Sequence, residues 1–301
     1  MQNGERYNSI SSYLKEIFGR KTVKLSLDAG MTCPNRDGTL GTGGCAFCSS
    51  TGSGEFSSTI GDQIALLSRK WPDACYLAYF QNHTNTYAPV PRLRALYEEA
   101  LSDARISGLA IATRPDCLEP EVLDLLEEMN RRTFLWVELG LQTIHARTSE
   151  AMGIGYSVGV YDRAVRSLQE RGIRVVVHVI LGLPGETREM MAETVRHVAS
   201  QHVFGIKLHM LNVIRSSRLY ERMPDYCPFE SIDQYTDLVC DLLRIIPPDI
   251  TIHRLTADAE RSQLVAPAWS YKKRTILNEI NRKLRERDIR QGDLLCPGNS
   301  E

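Results

Sequence analysis

The sequence predicts an α/β protein whose strands run parallel. Apolar, β-rich runs alternate with segments of helical periodicity six times along the chain, and strand–helix units in series form parallel sheets with right-handed crossovers. Polar residues gather directly after the strands, at the edge where such sheets bind their ligands. Spacing alone leaves two architectures open, a six-unit partial barrel and a doubly wound open sheet.

The sequence predicts six strands, four helices between them and a different pattern near the C-terminus. Strands are predicted at residues 22–27, 75–80, 109–113, 134–141, 173–181 and 205–213. Helices are predicted at 92–104, 120–130, 161–171 and 187–201, where apolar residues recur at helical spacing. Residues 250–255 are a candidate for one more strand, and 272–290 form a basic amphipathic helix. Pro247 and Pro248 interrupt the rhythm, so we expect one domain over residues 1–246 and a small unit over 247–301.

Bulk composition narrows the class of protein. A chain of 301 residues with 43% hydrophobic residues can bury one large core with an extension. The net charge of −1 does not by itself imply a polyanionic partner. No apolar run reaches the roughly 20 residues of a membrane span, and the first residues lack a signal-peptide segment. We therefore expect a cytoplasmic protein without membrane contact, in which the eight cysteines are ligands, thiols or buried apolar residues rather than disulfides.

Three cysteines in one short loop are the strongest chemical signal. Cys33, Cys45 and Cys48 follow a predicted strand and are separated by a glycine-rich stretch. Structural zinc sites and ordinary ferredoxin clusters take four protein ligands, whereas three leave one metal position open. The favoured interpretation is an iron–sulfur cluster with one iron free to bind S-adenosylmethionine (SAM). The alternative is a zinc site that recruits a fourth ligand such as His83 or His209. Cys227 and Cys296 are spaced too irregularly for a second cluster.

Six segments carry a resemblance to a known family. They are residues 33–48, 79–87, 113–117, 138–143, 182–186 and 253–258. With them, the chain resembles radical SAM proteins of the YhcC/YtqA type, which are related to the radical SAM core of the elongator catalytic subunit. The resemblance covers about residues 5–293. It implies a partial (β/α)6 radical SAM barrel with a small C-terminal α/β extension, and a 4Fe–4S cluster and SAM as cofactors.

The resemblance also implies roles for individual residues. Cys33, Cys45 and Cys48 match the cluster ligands, and Phe47 matches an aromatic residue that packs near adenine. The 81–85 turn, with Gln81, Thr84 and Asn85, stands where relatives receive the SAM amino group. Gln142 matches a ribose contact, and His178 falls where some relatives have an acidic ribose contact. No catalytic residue is assigned.

Two departures from the family pattern concern SAM. Ala112 stands where relatives often carry Glu, and residues 153–156 read Gly-Ile-Gly-Tyr where many carry Asn-Arg-Gly-His. The arginine of that motif lies near the SAM carboxylate in relatives. We therefore expect either that Arg147 or Arg163 holds the carboxylate, or that the affinity for SAM is altered.

The function expected from the resemblance is radical modification of tRNA, at a wobble-uridine side chain, with flavodoxin or ferredoxin as electron donor. The basic C-terminal helix would contact RNA phosphates, although such a face is most often only solvated. One alternative is a radical SAM enzyme that acts on a small metabolite or a protein. A second is a non-catalytic RNA-binding module stabilised by zinc.

Overall fold

The computed structural model describes residues 4–49 and 59–295, and Cys296 lies outside them. Seven strands form one parallel sheet in the order β1-β2-β3-β4-β5-β6-β8, and two short strands, β7 and β9, pair antiparallel beside it. The strands are β1 Thr22–Leu27, β2 Cys75–Phe80, β3 Ile106–Thr113, β4 Phe134–Gln142, β5 Arg174–Leu181, β6 Gly205–Met210, β7 Val213–Ile214, β8 Thr251–Arg254 and β9 Leu264–Ala266. The sheet curls into the partial α/β barrel that the resemblance implies.

Helices connect successive strands. They are α1 Ile10–Phe18, α2 Ile60–Ser68, α3 Val90–Ser102, α4 Pro120–Arg132, α5 Ala146–Ala151, α6 Val158–Glu170, α7 Arg188–Ala199, α8 Arg218–Arg222, α9 Ile232–Arg244 and α10 Lys273–Glu286. Several begin with a hydroxyl cap: Ser9, Thr59, Thr187 and Ser231 each accept a hydrogen bond from a backbone N–H in the first turn. Among the described helices, none combines the length and the apolar character needed to cross a membrane.

The predicted elements are confirmed with shifted ends. Strands β1 and β2 have the predicted bounds, but β3 begins at Ile106, earlier than predicted, because Ser107 and Gly108 interrupt the apolar run that marked it. The predicted strand 205–213 is two strands, since the parallel ladder ends at Met210 and Val213 pairs with Ala266 instead. The candidate strand at 250–255 exists as β8 and pairs with β6, which makes it the seventh strand of the main sheet. The division into 1–246 and 247–301 stays a prediction.

The two faces of the sheet carry different residues. Along β4, Leu135, Val137 and Leu139 belong to the core that lies between the sheet and its surrounding helices. The alternate residues Trp136 and Glu138 point to the concave face, as the two-residue period of a strand requires. We call the space enclosed by this concave face the lumen. Buried parallel strands usually read as continuous apolar runs. The wall of the lumen differs, because it includes the charged side chain of Glu138.

An aromatic layer closes the lumen at the amino ends of the strands. Tyr13 and Phe18 of α1 make edge-on contacts with Phe204 and Phe134, at ring-centroid distances of 5.2 and 5.5 Å. Helix α1 packs against β1 and β8, the two edge strands, and so spans the opening between them. Access to the lumen is therefore from the carboxyl ends of the strands, where the cysteine loop lies.

Candidate functional site

The cysteine loop follows β1 and is held by two neighbouring segments. Its first turn closes when the Arg36 N–H donates to the Cys33 carbonyl at 2.7 Å, and its second when the Cys48 N–H donates to the Cys45 carbonyl at 3.0 Å. Between the last two cysteines, Ala46 bonds the backbone of Met152 at the end of α5 and the backbone of Leu219 in α8, both at 2.8 Å. The three thiols are thus placed by backbone contacts rather than by their own side chains.

The surroundings of the loop favour the thiolate of Cys48, whereas the hydrogen bond to Cys48, together with burial, raises the pKa of Cys45. Asn35 Nδ2 lies 3.4 Å from Cys45 Sγ, and donates to the carbonyls of Gly153 and Ile154. A hydrogen bond from Cys45, together with the charge of Arg36, lowers the pKa of Cys48. Thiolate is the form in which cysteine binds metals.

The zinc alternative needs a fourth ligand near the three cysteines. Within residues 4–49 and 59–295, no three His, Cys, Asp or Glu side chains converge as a single ion requires. His209, suggested as a fourth zinc ligand, instead lies in the lumen with its ring centroid 5.0 Å from that of His178.

The turn after β2 offers acceptors next to the cysteine loop. The Asn85 amide shapes this turn by donating to three backbone carbonyls, those of Phe80, Asn82 and Ala112. The Thr84 N–H donates to the carbonyl of Thr32, beside Cys33, at 3.2 Å. Two buried oxygens remain without a partner among the described residues, Asn85 Oδ1 and Thr84 Oγ1. Buried acceptors are rarely left unpaired, so this turn fits a ligand that brings an amino group to the cluster loop. Gln81, also in the turn, accepts from the Ser26 hydroxyl at 3.3 Å.

Gln142 is held in an unusual backbone conformation at the end of β4. Its φ is +68°, and the β4–β5 register shifts between Gly140 and Gln142. A Cβ at Gly140 would lie 2.6 Å from Gln142 Nε2, so the Gln142 amide occupies the space that a side chain at Gly140 would take. Left-handed conformations of non-glycine residues cluster at functional sites. The geometry therefore supports a ligand role for Gln142 without identifying the ligand.

Phe47, next to Cys48, is partly buried. It contacts a small apolar cluster that includes Ala46, Met152 and Ile154, and Tyr156 contacts that cluster as well. The Tyr156 hydroxyl donates to the Gly140 carbonyl at 2.7 Å, beside Gln142. Tyr156 thus links the apolar cluster at Phe47 to the end of β4, and the SAM roles of Phe47 and Gln142 stay predictions.

The two arginines suggested for the SAM carboxylate, Arg147 and Arg163, are exposed. A third, Arg114, is buried beside the loop: it donates to the Ile154 carbonyl at 3.0 Å, pairs with Asp116, and stacks 4.8 Å above the Tyr156 ring. The sequence interpretation gave no role to Arg114 or Tyr156, although Arg114 lies in the motif at 113–117.

His178 lies deeper in the lumen than the other predicted SAM contacts. Its Nε2 bonds Glu138 Oε2 at 2.9 Å, and the same oxygen accepts from the Tyr79 hydroxyl at 2.6 Å and from Lys207. Trp136 Nε1 donates to the other oxygen at 2.9 Å. The sequence predicted that Glu138 has a partner, and the structure supplies four donors from four strands. The ribose role of His178 stays a prediction.

Charge and burial set the protonation of this network. Burial alone would raise the pKa of Glu138, but the charges of Lys207 and Lys24 outweigh it and hold the pKa well below its usual range. Burial, and then the charge of Lys207, lower the pKa of His178 to about 4. A neutral His178 must donate through Nε2 to an ionised Glu138, which leaves Nδ1 as an acceptor.

Comparison with known proteins agrees with this geometry. The family model described as the Radical SAM superfamily matches residues 38–198, and that of the Radical_SAM C-terminal domain matches 203–286. YtqA of Bacillus subtilis is 43% identical over 96% of this chain and 92% of its own. YhcC of Escherichia coli K12 is 37% identical over 98% and 97%.

More distant relatives share part of the chain or the fold. A protein of Methanocaldococcus jannaschii named tRNA uridine(34) acetyltransferase is 27% identical over 54% of this chain, which spans 30% of that protein. Among solved structures, the archaeal Methanocaldococcus infernus Elp3 superposes with a TM-score of 0.67 at 17% identity, over 90% of this chain and 64% of its own.

A partial barrel with a three-cysteine loop at its open end defines a radical SAM enzyme, whose cofactors are a 4Fe–4S cluster and SAM. The chain belongs to the radical SAM superfamily, in the family of YtqA and YhcC. Because the chain is an enzyme of this family, the interpretation as a non-catalytic zinc-stabilised module is wrong.

Proposed function

We propose that this protein cleaves SAM reductively and uses the product to abstract hydrogen from a substrate in the lumen. The observation that carries the proposal is the adjacency of the three-cysteine loop to the turn at Thr84 and Asn85, with its unpaired buried acceptors. When bound, the cluster supplies one electron to SAM, whose cleavage gives methionine and a carbon radical able to attack an unactivated C–H bond.

The chain's own residues would bind and orient the cofactors. Cys33, Cys45 and Cys48 would hold three irons, and Thr84 Oγ1 with Asn85 Oδ1 would accept from the SAM amino group. Gln142 would donate to the ribose, and Phe47 would pack near the adenine. The aromatic layer below the lumen excludes water from the amino ends of the strands, which protects a reactive intermediate.

Reconstitution under anaerobic conditions tests the cluster and the cleavage together. We expect about four irons per chain, and methionine with 5′-deoxyadenosine on addition of a strong reductant and SAM. Cys45→Ala should lose both, whereas Cys227→Ala, at an exposed cysteine away from the loop, should keep both. About eight irons per chain, or an intact cluster in Cys45→Ala, would refute the assignment.

We infer that the substrate is tRNA, modified at a wobble uridine. The support is the partial likeness to a protein named tRNA uridine(34) acetyltransferase, which covers little more than half of this chain. The donor of the electron would be a flavodoxin or a ferredoxin in the cytoplasm. The alternative substrate is a small metabolite or a protein. This alternative would be favoured if the protein does not bind tRNA.

Helix α10 offers less free positive charge than its sequence indicates. Most of its cations pair with carboxylates: Lys273 with Asp258, Arg282 with Glu279 and Glu286, Lys283 with Asp233 and Asp237, and Arg287 with Asp237. Among the described residues of this segment, Lys272, Arg274 and Arg285 form no ion pair, and the first two of them lie at the amino end of the helix. A phosphate contact at this end of the helix would therefore involve these two residues.

A salt titration of tRNA binding tests the surface. The double variant Lys272→Gln/Arg274→Gln should flatten the log–log salt dependence by about 0.7–0.9 per lost phosphate contact. Arg282→Gln is the matched control, because its charge is already satisfied within the helix. Identical slopes would remove α10 from the interface, and no binding of tRNA to the wild type would favour the small-metabolite or protein substrate.

A further inference from the structure

The lumen carries cations that reach solvent. Lys24 on β1 and Arg254 on β8 lie on the two edge strands, and their side chains are 28% and 27% exposed. His178, on β5 between them, is 19% exposed. Lys207 on β6 lies beneath, with 2% of its side chain accessible. Solvent therefore reaches Lys24, Arg254 and His178.

The charges of these residues do not balance. Lys24, Lys207 and Arg254 act on one another and on the same histidines, and Glu138 is the carboxylate that faces them. Asp258 approaches Arg254 to 3.4 Å from the rim, is half-exposed, and is shared with Lys273. With Lys273, four basic side chains of the described residues meet two carboxylates, Glu138 and Asp258, so basic groups are in excess.

Two of the polar groups here lack full partners. Lys24 Nζ stands 4.0 Å from Glu138 Oε1, beyond hydrogen-bond distance, and lies over the rings of Tyr79 and Trp136. His209 Nε2 is buried without a hydrogen-bond partner among the described residues. Neither group is hydrogen-bonded to Glu138, whose Oε2 accepts from Tyr79, His178 and Lys207 and whose Oε1 accepts from Trp136. An incoming oxyanion would accept a hydrogen bond from Lys24, which donates none to Glu138, and from His209 Nε2 in the tautomer that carries the proton there.

We propose that the lumen is an anion site in which Lys24, Arg254 and His209 bind a carboxylate or phosphate group of the substrate. That this group belongs to the substrate rests on the proposed function; the anion site itself does not. Glu138 holds Lys207 in place and keeps its four hydrogen bonds when the anion binds. The site would anchor the charged end of the substrate at the depth of the ion pair, so that a neighbouring carbon faces the cysteine loop at the carboxyl ends of the strands.

Calorimetric titration of the holoprotein with inorganic phosphate and, separately, with acetate tests the site. We expect one anion to bind per chain, with acetamide, a neutral analogue of acetate, not binding. The anion with the lower dissociation constant identifies the group. Lys24→Met keeps the apolar stem and removes the charge, and should raise the dissociation constant at least about 10-fold, as loss of a charge-assisted hydrogen bond implies.

Arg254→Gln should weaken binding similarly, and Lys15→Met, at an exposed lysine on α1, should leave it unchanged. Equal affinity in Lys24→Met, Arg254→Gln and wild type, or no anion binding by wild type, would overturn the proposal. Iron content and substrate-free SAM cleavage are measured on the same samples. Anion binding by a wild type that does not cleave SAM would refute the proposed function and leave the anion site standing.

Discussion

Lys207 on β6 and Glu138 on β4 form an ion pair inside the lumen, across the intervening strand β5. Both side chains are almost fully buried. The carboxylate is also bonded to Tyr79 from β2, so the pair ties together strands that are not neighbours in the sheet. The ion pair is therefore a structural element of the barrel as well as part of the wall that the substrate would face.

Replacing Glu138 should destabilise the protein strongly. Glu138→Gln leaves Lys207 buried without its counter-charge, and breaking a buried pair in this way costs about 3–5 kcal/mol. The free energy of unfolding in denaturant is the measurement. Glu128→Gln is the control, since Glu128 pairs with Arg94 on the surface at 2.6 Å and the loss of an exposed ion pair should cost far less. Equal losses in the two variants would contradict a structural role for the buried pair.

Much of this architecture is predictable from the sequence, for physical reasons. Strands β1 and β2 are uninterrupted β-rich runs between polar segments, so the sequence predicts both of their ends correctly. The break between β6 and β7 is not visible, because the apolar run continues past Met210 while the partner strand changes. That change depends on β9, which lies far along the chain.

The site is predictable only in part. The three cysteines of the loop lie close together in the sequence, so their pattern as metal ligands can be recognised there. Arg114 and Tyr156 become neighbours through the folding of the 153–156 segment onto the loop, which no local pattern reveals. Likewise, Lys24, Lys207 and Arg254 are single cations on separate strands, and only the curl of the sheet brings their charges together.

Stability should fall as the pH drops below neutrality. The pKa of His178 is lowered by burial, and then by Lys207, to about 4, and burial lowers those of His209 and His253 as well. A lowered folded-state pKa means that the unfolded chain binds protons first, so the stabilisation is complete above about pH 6.5 and is lost towards pH 4.

His178 alone accounts for a total of about 3 kcal/mol over that range, of which about 1 kcal/mol falls between pH 7.5 and 5.5. Anaerobic denaturation of the holoprotein at those two values measures it. His178→Asn should show a smaller difference between the two pH values than wild type, while retaining the part that His209 and His253 contribute. If His178→Asn shows the same difference in unfolding free energy between the two pH values as wild type, His178 has the same pKa in the folded and unfolded states.

The Asn35 amide should tune the cluster. Its Nδ2 lies 3.4 Å from Cys45 Sγ, and hydrogen bonds to ligand sulfurs raise the reduction potential of iron–sulfur clusters. Asn35→Ala should therefore lower the potential, on the order of tens of millivolts, with the cluster retained. Redox titration followed by electron paramagnetic resonance measures it. Asn130→Ala, which removes a bond to the Gly172 carbonyl outside the site, should leave the potential unchanged; a matching shift there would point to a general loosening of the fold.

Gln142 should contribute to SAM binding through its side chain. The positive φ of +68° at the end of β4 is maintained although glycine would adopt it more readily, and the space above Gly140 is kept for its amide. Gln142→Ala should weaken SAM binding by about 1–2 kcal/mol, the contribution of one hydrogen bond to the ribose. Equilibrium binding of SAM to the reconstituted protein is the measurement, with iron content as the check on folding.

Gln169→Ala, at an exposed position of α6, is the control and should bind SAM as wild type does. If Gln142→Ala binds SAM with wild-type affinity, Gln142 does not contact the cofactor and its strained backbone serves the packing of Tyr156 against Gly140 instead.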